Sequence, residues 1–187
     1  MEQIKSFIPK IYFQIAIYTA CMTSITSSSI SLERKSFNIL KTVPVKVKQI
    51  LLAKVIASNI ITIPVMLVSD IIFFIAFKAE ITDIVFILMA TLIMPTFTAI
   101  IGLLVNLKHP KLDASSDTEV VKQSMSSGIS VLIGMVLGML SIVAMIIFYK
   151  SIDVCFTVEL IILATMVAIL WMVLKKYGQK RFMQIYN

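Results

Sequence analysis

Few side chains in this sequence could do chemistry, and they are scattered. His109 is the single histidine. It precedes Pro110 in a polar stretch, and one imidazole cannot supply the clustered ligands of an HExxH metalloprotease. Cys21 and Cys155 both fall in apolar runs, with no CxxC or Cys/His grouping, so they read as small buried side chains and not as a disulfide or zinc site. There is no GxSxG elbow and no GxxxxGK[ST] phosphate loop. We therefore expect no enzyme activity, no metal and no cofactor. If ATP drives this protein, a separate polypeptide binds it.

Two intramembrane features stand out. Asp70 lies within an apolar run, where a carboxylate costs about 2.5–3.5 kcal/mol on insertion scales, so it should face protein, water or a partner. It either lines an outward cavity or accepts a hydrogen bond from a neighbouring Ser or Thr. Ser58, Asn59 and Thr62 make the other half of that run polar, and Pro64 and Pro95 are expected to kink their segments. Ser130, Gly134 and Gly138 are spaced four apart and leave a groove into which another helix backbone can fit, without naming that helix. Glu159 is expected near the outer surface, snorkelling or wetted.

The elements that hold these residues follow from composition. The chain has 187 residues, 59% hydrophobic and 14% charged, with a mean hydropathy of +0.98. Soluble domains are about 45–50% apolar and about 25% charged, so soluble, disordered and disulfide-scaffold classes are excluded. The apolar runs are continuous, which disfavours a β-barrel. We expect an all-α polytopic transmembrane bundle forming one domain, 1–187, with spans near 11–29, 55–77, 84–107, 125–148 and 154–174. Each has about 19–24 residues, enough to cross a hydrocarbon core of about 30 Å.

The net charge of +7 could suggest nucleic acid, but the cations sit between the apolar runs and so report topology. Thirteen of the 17 Lys and Arg fall in 30–54, 108–124 and the tail. Cytoplasmic loops retain such residues, which puts the N-terminus outside and the C-terminus in the cytoplasm of a multi-pass cell-membrane protein. The N-terminal residues carry no small-residue cleavage site and do not read as a removable signal peptide. An odd number of spans with an external N-terminus leads us to expect further helices upstream, in a longer protein.

The first long loop is split by Pro44. Before it, Phe37 and Leu40 lie among Arg34, Lys35 and Lys41; after it, Val47, Ile50, Leu51 and Lys54 keep helical spacing. Two short amphipathic helices along the inner membrane face are expected, either anchored in lipid or forming a docking surface. In the second loop, Asp113 or Ser116 is expected to cap a helix starting near Asp117 and running on into the fourth span.

These loops resemble the permease subunits of bacterial ABC transporters of the type 2, exporter-like class. The residues are Ser29, Leu32, Glu33, Lys35, Ser36, Phe37, Ile39, Leu40, Lys41 and Pro44, followed by Ile50, Leu51 and Lys54. A second stretch comprises Pro110, Lys111, Leu112 and Asp113 with Glu119, Val121, Lys122, Gln123 and Ser124. The likeness covers roughly residues 24–130, and Ala114 and Ser115 stand where the family often has an aromatic. Its members are longer, so the resemblance implies a C-terminal portion. It also implies a separate ATPase subunit as partner, together with further permease helices or a second permease copy, in an outward transporter. Glu33, Arg34, Lys35, Phe37, Leu40, Lys41 and Pro44 become the ATPase-coupling candidates. The alternative is a non-transporting immunity, sensor or assembly protein that uses Ser130, Gly134 and Gly138 as its contact face. In either case membrane lipids, and no nucleic acid, are expected around it.

Overall fold

The computed structural model describes residues 2–23, 25–33 and 45–185, with residues 2–6 described by backbone only. Every regular element among them is helical. Helix α1 spans Glu2–Met22 and ends in a 3₁₀ turn, Ile25–Ser28, and a short α2, Ser29–Leu32. Then come α3 (Val47–Phe77), α4 (Ile81–Lys108), α5 (Asp117–Gln123) and α6 (Met125–Ile147). Helix α7 (Ile152–Val173) passes through a π turn at Leu174–Gly178 into α8 (Gln179–Ile185). Five segments are long and apolar enough to cross a membrane, the architecture of a multi-pass membrane protein.

Helix α4 is the centre, packing against α1, α3, α6 and α7. Its Ile87, Phe97, Ile100, Leu103 and Leu107 are fully buried, whereas Ile60, Val65, Ile72 and Ile75 of α3 and Val154 and Ile161 of α7 stay exposed. An apolar exterior around an apolar interior is what lipid permits and water does not. One core cluster gathers Phe13, Ile17, Phe73, Ile87, Phe97 and Phe156, with the Phe13 and Phe156 rings stacked at 4.0 Å. The other joins Ile30, Leu51, Val55, Leu103, Leu107, Leu174 and Phe182 at the opposite end of the bundle.

Two expectations change. Residues 47–54 form no separate interfacial helix; they are the first turns of α3, and Leu51 is buried in the second core cluster. At 31 residues, α3 is about 46 Å long, so it covers both the span and that stretch. The helix after the second loop is not continuous. Ser116 caps α5, its Oγ accepting from Glu119 N at 3.2 Å, but Ser124 is extended at φ −80°, ψ 136° and caps α6 through Ser127 N. A serine that satisfies a free N–H can start a new helix in mid-course. Pro64 and Pro95 lie inside α3 and α4, and both helices continue through them.

Candidate functional site

Antiparallel alternation sorts the charged residues. The start of α1, the end of α3, the start of α4, the end of α6 and the start of α7 share one face of the bundle, where Lys10 Nζ meets Asp153 Oδ1 at 2.8 Å. At the opposite face lie Lys46, Lys48, Lys54, Lys108, Lys111, Lys122, Lys175, Lys176, Lys180 and Arg181. Lys175 sits over the Trp171 ring at 5.3 Å.

A polar knot organises that basic face. Asn106, fully buried on α4, accepts from Ile30 N (2.8 Å) and Ser31 N (3.3 Å) through Oδ1. Its Nδ2 donates to Ser31 Oγ (2.8 Å) and Ser126 Oγ (3.0 Å), which uses the full capacity of the amide. Ser31 Oγ also accepts from Lys111 N at 3.0 Å, across 80 residues of sequence. Nearby, Thr26 Oγ1 donates to Ala99 O at 2.7 Å, and Gly102 leaves the room this close approach needs, since a Cβ there would lie 2.5 Å from Thr26 Oγ1. Thr26 and Ser31, at the end of the first span, are therefore interior fastenings. Asn106 escapes sequence reasoning because it falls at the edge of an apolar run and reads as the start of a loop.

Of the coupling candidates, Glu33 is described: its Oε2 lies 2.7 Å from Lys54 Nζ, and that ammonium also donates to Ser29 O at 3.1 Å. This ties the end of α2 to the second turn of α3. Arg34, Lys35, Phe37, Leu40, Lys41 and Pro44 lie outside the described residues. On the second loop, Lys111 Nζ pairs with Glu119 Oε1 at 2.7 Å, and Ser115 N donates to Glu119 Oε2 at 2.9 Å.

Asp70 takes the structural option. It is 1% exposed, Oδ1 accepting from Tyr12 Oη (2.9 Å) and Oδ2 from Thr91 Oγ1 (2.7 Å). One carboxylate thus ties α1, α3 and α4 together, and Tyr12 stacks on Phe73 beside it at 3.9 Å. Ser130, Gly134 and Gly138 also turn inward. A Cβ at Gly134 would lie 2.1 Å from the Cys21 carbonyl oxygen, and one at Gly138 would lie 2.6 Å from the Tyr18 ring. Their partner is α1 of the same chain, so they offer no face to another protein. Glu159 is half-buried, within reach of Ser141 and Gln14, and Ser141 Oγ donates to Gln14 Oε1. Gln14 and Ser141 each sit inside apolar runs and had carried no signal of their own.

Among the described residues no three His, Cys, Asp or Glu side chains converge to hold a metal. Compared with family models, curated proteins and solved structures, the chain matches none.

Proposed function

We propose that this chain is a permease subunit, or the C-terminal portion of one, in an ATP-driven exporter whose ATPase is a separate polypeptide. The observation that supports it most is the contact between Ser31 and Lys111. The two stretches resembling type 2 ABC permeases meet there, around Asn106, on the face that carries most of the cations. A partner docking on that face would touch both stretches at once. The positive-inside tendency makes this face cytoplasmic, with the N-terminus of α1 outside. In this proposal the segment after Glu33 is the docking element, and the Glu33–Lys54 pair holds its root against α3. Purification from native membranes in mild detergent should co-purify a P-loop ATPase, and reversing the charges of Arg34, Lys35 and Lys41 should weaken its recovery. Absence of any ATPase from the native complex would refute the coupling.

A further inference from the structure

Beyond the last span the chain stays on the bundle. Leu174 and Phe182 are buried in the second core cluster. A Cβ at Gly178 would lie 3.2 Å from Leu51 Cδ1 and 3.4 Å from Leu107 Cδ1. These contacts hold the π turn and α8 against α3 and α4, so the outward stripe of α7 continues through them. The stripe runs as Ile169, Met172 and Val173, exposed and apolar. Within one turn it changes to Lys176 and then Lys180, exposed and cationic, with Tyr177 between them. Lys175 stands beside it, its ammonium 5.3 Å from the centre of the partly exposed Trp171 ring. No Asp or Glu follows Glu159 in the sequence, and the ion pairs seen among the described residues belong to Lys10, Lys54 and Lys111. The charge of this stripe is therefore uncompensated within the described residues.

Height along the helix says what answers it. At 1.5 Å per residue, Lys176 stands about 5 Å past Val173 and Lys180 about 10 Å past it, which spans the headgroup layer of about 5–8 Å beside the hydrocarbon core. We propose that this stripe binds an anionic phospholipid of the adjoining leaflet, its phosphate on the Lys176 and Lys180 ammoniums and its acyl chains along Met172 and Val173. A zwitterionic lipid brings its own cation next to the phosphate, which the lysines repel. An anionic lipid leaves a net charge that two ammoniums one turn apart share through charge-assisted hydrogen bonds. Trp171 and Tyr177 are the aromatic residues that suit this depth. Basic clusters directly after a span attract acidic lipids, each cation adding about fivefold near the surface. Here the cluster is pinned by Leu174, Gly178 and Phe182, so the attraction acts at one place and one depth. The site does not depend on coupling to an ATPase.

Trp171 is the single tryptophan of the chain, so its fluorescence reports the lipid beside the stripe. The native chain would be reconstituted in phosphatidylcholine vesicles holding equal fractions of either phosphatidylglycerol or phosphatidylcholine brominated in the acyl chains. Quenching should give phosphatidylglycerol a relative binding constant about fivefold that of phosphatidylcholine, the share of one well-placed cation. The double variant Lys176→Gln, Lys180→Gln leaves Lys175 over Trp171 and should lower this preference to less than half. Lys122→Gln, on α5, which packs against α2 and α6, should leave it unchanged. All three lysines are exposed, where substitution leaves the fold intact. Quenching by the two lipids that differs by less than twofold, a preference that the double variant keeps above half, or an equal loss in Lys122→Gln would each overturn the proposal.

Discussion

Replacing Gly134 by Ala tests the inward packing of the small-residue stripe, with Gly128→Ala on the same helix as the reference. The new Cβ would lie 2.1 Å from the Cys21 carbonyl oxygen and 2.9 Å from its carbon, whereas nothing comes within 4 Å of a Cβ at Gly128. The obstruction is backbone, so rotamer changes cannot relieve it, and α1 and α6 must part by about 1 Å locally. A gap of that size forfeits about a quarter to a half of each dispersion contact along the seam. Overpacking of this kind costs about 1–3 kcal/mol, and the better helix propensity of Ala returns up to about 1 kcal/mol. A net loss of about 1–2 kcal/mol is expected at Gly134, against no change or a gain of about 0.4–1 kcal/mol at Gly128. Both are measurable by SDS titration in mixed micelles with helicity read by circular dichroism. Equal shifts for the two variants, or a stabilised Gly134→Ala protein, would refute the α1–α6 contact.

Two further substitutions probe the buried polar ties. Asp70→Ala strands the Thr91 hydroxyl and leaves Tyr12 Oη with Ser69 alone, so a loss of about 1–3 kcal/mol is expected in the same titration, with Asp70→Asn milder; an Ala variant as stable as the native chain would contradict the tie. Asn106→Leu removes an acceptor from two buried N–H groups and a donor from two serines. It should cost more than about 2 kcal/mol and raise amide exchange at Ile30 and Ser31, and unchanged protection there would count against the knot.

The bundle was legible because hydropathy is a local property. Lipid demands about 20 apolar residues per crossing whatever the neighbours are, so five spans and the asymmetry of Lys and Arg could be read from the chain directly. Ser116 as a cap was legible for the same reason, since a serine and the N–H groups it satisfies lie within one turn. Ser124 was not, because an identical local signal was hidden inside an apparently continuous helical stretch.

The polar residues within the spans followed a different rule. Whether Asp70 lines a cavity or closes a hydrogen bond depends on Tyr12 and Thr91, which come from two other helices. That Gly134 meets Cys21, that Asn106 and Lys111 meet on Ser31, and that Glu159 lies within reach of Gln14 and Ser141 are likewise properties of the packed bundle. The sequence by itself determined that this protein is an all-α membrane bundle with one strongly basic face, because burial in lipid and charge placement act residue by residue. Only the tertiary structure decided which polar groups are spent on holding helices together, because a hydrogen bond needs two partners and the second lies elsewhere in the chain.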